Sequence, residues 1–255
     1  MIDVDLCKSV LALVTGSLTG SFLNVVIYRI PREKSLVLPG SKCPGCDSPI
    51  AFYDNIPVIS WLVLGAKCRK CKEKISIRYP IVELITGVLF FLTFKNFDIS
   101  LNWVFLSYFS SLMVVITWID IDLMLILHSI TYPAIVVGFI YSYINNTLPQ
   151  SVLGFIIGTV LFYLIAKLSF LLMKKEGMGM GDVAFAALLG TWLGLNNLLG
   201  ALFISFLLGS VVGLIFLSVK GKSEHFPFGP SLATGAMITL LTNNYIFNWY
   251  INNFL

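Results

Sequence analysis

Charge is what this chain has least of. Only 12% of its 255 residues are Asp, Glu, Lys or Arg, against about 25% in an average soluble domain. With 57% hydrophobic residues and a mean hydropathy of +0.89, that deficit excludes an ordinary water-soluble globule. Basic residues are missing from the start of the chain, which opens with Asp3 and Asp5. No small-residue cleavage site follows the first apolar run, so that run is expected to remain as a membrane span and not to be removed as a secretory signal. Histidine is scarce: His128 and His225 are the two present, and both fall near predicted span ends, where a polar interfacial role suffices. No glycine-rich dinucleotide loop follows a predicted strand, so the spacing holds no nucleotide fold. No nucleic-acid partner is expected.

What is present is a series of apolar runs. About 20 such residues cross a bilayer as a helix. A helix satisfies its own backbone in lipid, and these runs are too long and too apolar for barrel strands. Eight spans are expected, at about residues 6–28, 80–95, 99–119, 128–146, 150–173, 183–196, 199–219 and 230–251. The expected fold is therefore all-α, a polytopic protein of the lipid bilayer with about eight transmembrane helices. Ten of the 17 Lys and Arg lie from Arg29 to Arg78, which puts that segment in the cytoplasm by the positive-inside rule. Alternation then brings Lys174, Lys175, Lys220 and Lys222 to the same face, and with them Asp120 and Asp182.

Residues 29–79 form the one sizeable polar segment and hold four of the five cysteines. Cys43-Pro44-Gly45-Cys46 and Cys68-Arg69-Lys70-Cys71 are two C-x2-C pairs, the spacing that tetrahedral zinc takes from four thiolates. Two disulfides or a redox pair use the same residues, but a reducing cytoplasm argues against structural disulfides. A zinc-ribbon-like insertion is expected. The basic residues Lys67, Arg69, Lys70 and Lys72 would offset the charge of a tetrathiolate, and the metal would supply much of the folding energy of so small a loop. Cys7, at the start of the first span, reads as an ordinary buried thiol.

Two carboxylates stand at span ends. A charged group at membrane depth costs roughly 3 kcal/mol, so each needs a reason. Asp182 closes Gly179-Met180-Gly181-Asp182 and opens an apolar run; an N-cap role also fits it. Asp120 ends an earlier run, and Asp122 is its rival, about 200° away on a helix. Paired with Asp182, either would form a dyad that shares one proton and activates water. Gly179 and Gly181 would let an extended substrate backbone approach closely. Glu83, early in the second span, is a further functional candidate, against the alternative of an ion-pair partner for Arg78. Glycines 154, 158, 190, 194, 200, 209 and 213 read as close-packing positions between helices.

The motifs together resemble the type IV prepilin peptidases, over nearly the whole chain. The resemblance is carried by the run Gly20 to Pro31, both cysteine pairs, Asn55-Ile56-Pro57, Ser60-Trp61-Leu62, Arg78-Tyr79-Pro80 with Val82-Glu83, the Gly-x-Gly-Asp motif at 179–182, and Pro227-Phe228-Gly229-Pro230. It implies that Asp120 and Asp182 are the catalytic pair of an aspartic endopeptidase in the bacterial inner membrane. Its substrates would be prepilins or pseudopilins, cut after the glycine that ends a short basic leader. It also implies N-methylation of the new N-terminal residue from S-adenosylmethionine, associated with the cysteine loop, and Glu83 is the candidate on the cofactor side. The domain division so implied is 1–79, the first span with the cysteine-rich region, and 80–255, the peptidase. Two positions depart from the family pattern: Leu127-His128 replaces Pro-Asp, and Ala184 replaces Lys. A presenilin-like intramembrane protease also carries Gly-x-Gly-Asp, but the four cysteines argue against it. A non-enzymatic transporter or assembly scaffold with ion-carrying aspartates is the third reading.

Overall fold

The computed structural model describes residues 4–173, 179–220 and 227–243, together with 245, 249, 252 and 253. Lys174, Lys175, Lys222 and His225 lie outside the described residues. Eight α-helices follow in order: α1 Val4–Arg29, α2 Ile59–Val63, α3 Arg78–Phe97, α4 Leu101–Leu123, α5 His128–Ile144, α6 Leu148–Met173, α7 Met180–Lys220 and α8 Gly229–Leu241. Among the described residues there is no strand, only the isolated bridges Lys42 with Pro49 and Lys67 with Lys74.

Five of these segments are long and apolar enough to cross a membrane: Val4–Arg32, Arg78–Phe97, Leu101–Leu123, Leu148–Leu172 and Met180–Ser218. Among the described residues that measure gives five where eight are expected, and the span expected at 230–251 falls partly outside the described residues. Helix α5 has 17 residues with Pro133 inside it, and α8 has 13. The two spans expected at 183–196 and 199–219 belong to one element, the 41-residue α7. Straight, it would reach roughly 60 Å, twice the hydrocarbon core of a bilayer. It turns instead at Gly194, where φ is 69° and ψ 174°, a conformation open essentially to glycine alone.

The chain divides into two compact units, Met1–Val115 and Ile116–Leu255. In the first, α1 packs on α3 through small residues. A Cβ at Gly16 would stand 2.8 Å from Gly87 Cα, and one at Gly20 would stand 2.7 Å from Glu83 Cα. Helix association in lipid depends on such backbone approach, since lipid tails are as apolar as leucine. In the second unit Gly154 of α6 and Gly190 of α7 meet backbone to backbone, as expected of packing glycines. Trp192 Nε1–H donates to Ala134 O at 2.9 Å and joins α5 to α7. Four buried hydroxyls are satisfied within their own helices: Thr86 donates to Val82 O, Ser110 to Leu106 O, Thr191 to Ala187 O and Ser205 to Ala201 O. Water is absent at membrane depth, so these bonds remove a cost of several kcal/mol per group.

Candidate active site and metal centre

Helix α4 carries Asp120 one turn from its end, and the carboxyl is buried. Asp122 is exposed. The two rivals therefore differ in surroundings as their helical spacing requires. Asp120 Oδ2 accepts the Gly229 N–H at 2.8 Å. Gly229 is the first residue of α8, followed by Pro230, and the free N–H of an opening helical turn needs an acceptor. A Cβ at position 229 would lie 2.6 Å from Asp120 Oδ2. Phe228 fixes this turn by packing against the Phe206 ring, centroids 5.6 Å apart, and against Gly209.

Asp182 sits in the first turn of α7, three residues after Gly179. Its backbone N–H donates to Gly179 O at 3.1 Å, and its Oδ2 accepts the Gly179 N–H at 3.3 Å. This is the reaching-back half of a capping box, with the acid at the third helical position; Gly179, not Asp182, holds the N-cap place. Gly181, next to Asp182, packs against Ile126 in the connection that leaves α4 just after Asp120, so the two acids stand on elements that meet at this end of the unit. The glycines of the motif differ. A Cβ at Gly181 would come within 2.9 Å of Ile126 Cβ and 3.0 Å of its carbonyl oxygen, whereas around Gly179 the nearest atom, Asp182 Oδ2, is 3.7 Å away. Packing against the 124–127 connection thus accounts for Gly181, and open space remains at Gly179. Among the departures from the family pattern, His128 is exposed and stacks on Tyr132 at 4.9 Å, and Ala184 is buried.

In the first unit the two cysteine pairs fold alike. Cys43 N–H donates to Ser48 O and Asp47 N–H to Cys43 O; Cys68 N–H donates to Glu73 O and Lys72 N–H to Cys68 O. Each pair is clasped by one antiparallel bridge, and Asp47 and Lys72 take the same left-handed conformation, φ 51° and 62°. The four sulfur atoms lie within 4.8 Å of one another, and Cys43 Sγ and Cys71 Sγ are 3.7 Å apart. Tetrahedral zinc with Zn–S near 2.3 Å separates its sulfurs by about 3.8 Å, and a disulfide by about 2 Å. All five cysteines are free, so the donor set fits a metal ion. N–H groups of Cys71 and Lys70 hold the Cys68 thiol down to about 6. Cys71, although it accepts the Glu73 N–H, is pushed up to about 12 by burial and by the sulfurs crowding it. Arg69, expected to offset the thiolates, forms an ion pair with Asp54 at 2.7 Å and holds that carboxyl below the usual range.

Glu83 is buried on α3. Its Oε2 accepts the Val58 N–H at 2.7 Å. Val58 holds φ 60° and ψ −48°, a strained conformation for a β-branched residue. The Gly229 and Val58 contacts were not foreseen, because a backbone N–H leaves no residue signature; the glycine before Pro230 was the one available hint.

Residues 14–97 match the family described as bacterial peptidase A24 N-terminal domain, and residues 107–214 match the type IV leader peptidase family. A prepilin leader peptidase/N-methyltransferase of Neisseria gonorrhoeae is 36% identical over 95% of this chain and 94% of its own length. One from Aeromonas hydrophila is 36% identical over 92% and 91%. A type 4 prepilin-like proteins leader peptide-processing enzyme of Escherichia coli is 36% identical over 91% and 93%. No solved structure gives a significant match.

Proposed function

The chain belongs to the type IV leader peptidase family, and from that premise we propose that Asp120 and Asp182 cleave the leader from prepilins or pseudopilins. It is a membrane enzyme with peptidase and methyltransferase activity. One carboxylate of the pair takes a proton from water while the other, protonated, donates a hydrogen bond to the scissile carbonyl. The water oxygen adds to that carbon, and the proton passes to the leaving amine as the bond after the leader glycine breaks. Two carboxyls brought together share one proton readily, which supplies the acid and the base together. Gly229 N–H holds one oxygen of Asp120 and leaves the other for water or substrate. Gly179 offers the open backbone past which an extended peptide can lie, and Gly181 sets the turn beside it.

Methyl transfer is assigned to residues 1–79 and cleavage to 80–255. S-adenosylmethionine supplies the methyl group for the newly exposed amine. Glu83 is the acid proposed on that cofactor's side: it is buried, accepts the Val58 N–H, and is close to the cysteine loop in sequence order. Cys43, Cys46, Cys68 and Cys71 hold zinc in a structural role. The positive-inside rule places the cysteine loop and the aspartates toward the cytoplasm of a bacterial inner membrane, where a basic leader is presented.

The observation that carries the cleavage reading is a buried Asp120, held by the Gly229 N–H at the end of α4, where the connection that follows packs against Gly181 of the Asp182 motif. Purified enzyme is incubated with a synthetic prepilin and S-adenosylmethionine, and the product is weighed by mass spectrometry. A leader-sized loss and one added methyl mass are expected. An intact substrate from folded enzyme removes the dyad.

A further inference from the structure

A groove of about 270 Å³ runs along the outer side of α1. One wall is the helical stripe Leu18, Phe22 and Val25, and the other is the connection that folds back beside it, Leu36, Val37 and Pro39. Leu18 and Arg29 are about 16 Å apart along the helix axis, so the groove descends some three turns into the span. Leu18 and Phe22 are more than half exposed, as side chains facing lipid are. Ser41, Asn55 and Arg29 give the groove one polar end.

The second wall is built, not loose. Arg29 donates from Nη1 to Ser35 O at 2.8 Å and from Nη2 to Pro39 O at 2.7 Å. The Val37 and Leu38 N–H groups donate to Ser35 Oγ at 3.3 Å. Three of the five guanidinium N–H donors are left over for a ligand. Two more cations stand at the same level: Arg32 lies 4.3 Å and Lys34 5.3 Å from the Tyr28 ring. An aromatic ring ringed by cations at a span end is the composition of a headgroup layer.

We propose that this groove binds one anionic phospholipid, with an acyl chain along Leu18, Phe22 and Val25 and the phosphate among Arg29, Arg32 and Lys34. Apart from Ser21, the lining runs from apolar at Leu18, Phe22 and Val25 to cationic at Arg29, in the order of a lipid's own chemistry. A basic leader peptide would meet like charge at the same place. The site sits wholly in the first unit and is independent of the aspartates.

The test uses the full chain in phosphatidylcholine bilayers doped with a photoactivatable phosphatidylglycerol, with photoactivatable phosphatidylcholine as the control. Adducts are mapped by mass spectrometry. Phosphatidylglycerol is expected to label peptides spanning 18–41 several-fold more than phosphatidylcholine does. Arg32→Gln with Lys34→Gln should bring that several-fold excess down to near parity, since each cation near a bilayer surface contributes to holding an anionic lipid. Val25→Trp, which fills the groove and leaves the cations, should lower labelling there by both lipids while adducts on α6 persist. Equal labelling by the two lipids, indifference to both variants, or displacement by a leader peptide or by S-adenosylmethionine overturns the assignment. Leader cleavage measured on the same preparations separates the two sites: a cleaving enzyme without groove adducts refutes the lipid site alone.

Discussion

The Gly229 N–H donates a 2.8 Å hydrogen bond to Asp120 Oδ2 across 109 positions of sequence. A side chain at 229 would stand 2.6 Å from that oxygen, so the contact requires glycine. The late Pro-Phe-Gly-Pro turn is thereby joined to the carboxyl pair, and Phe228, packed on α7, is its anchor.

Gly229→Ala should push the Asp120 carboxyl out of place. A hydrogen bond to a charged group contributes about 1.5–3 kcal/mol, so leader cleavage is expected to fall roughly 10- to 100-fold. Methylation of an already processed pilin should be unchanged, which distinguishes a displaced carboxyl from a misfolded protein. Normal cleavage by this variant would show that the bond does not position Asp120.

Asp120→Asn and Asp182→Asn should each lower cleavage by about 10³-fold or more while leaving the protein in the membrane. Groups that act as a unit are non-additive, so the double variant should be little worse than either single one. Asp122→Asn should stay within about threefold of the parent, because that side chain is exposed. Loss of cleavage in Asp122→Asn alone would transfer the role to it.

Legibility in the sequence followed distance along the chain. The two cysteine knuckles could be read because each pair of ligands is local, and their mutual approach needs only the 42–49 and 67–74 turns. Apolar runs located the helices, since hydropathy is a property of a window. The two spans expected at 183–196 and 199–219 both lie in α7, and the break between its helical parts falls at Gly194, where one residue absorbs the turn. Asp182 was read as a possible N-cap, and the helix starts two residues earlier, at Met180. The Gly229 contact with Asp120 and the Val58 contact with Glu83 were invisible, because both donors are backbone groups brought in by tertiary folding.

Glu83→Gln preserves an acceptor for the Val58 N–H and removes the charge; Glu83→Ala removes both. An unpaired buried donor costs about 1–3 kcal/mol, so the alanine variant should unfold earlier on heating than the glutamine one. If Glu83 serves methyl transfer, both variants should lose methylation and keep leader cleavage within a few-fold. A glutamine variant that methylates normally would leave Glu83 a structural role only.

Zinc affinity should rise with pH, and its slope should change near pH 6. Metal needs thiolates, so protons compete with it. Without metal at neutral pH, Cys68, held at about 6, is already ionised, and Cys71, near 12, keeps its proton. Binding then displaces at least the Cys71 proton, and affinity should change by about tenfold per pH unit or more. As pH falls through 6, Cys68 also takes up a proton that zinc must displace, and the dependence steepens by one further proton. Chelator competition across this range measures the slope, and Cys71→Ser should reduce it by the Cys71 proton while weakening the site. An affinity indifferent to pH would mean that these thiols are not the ligands.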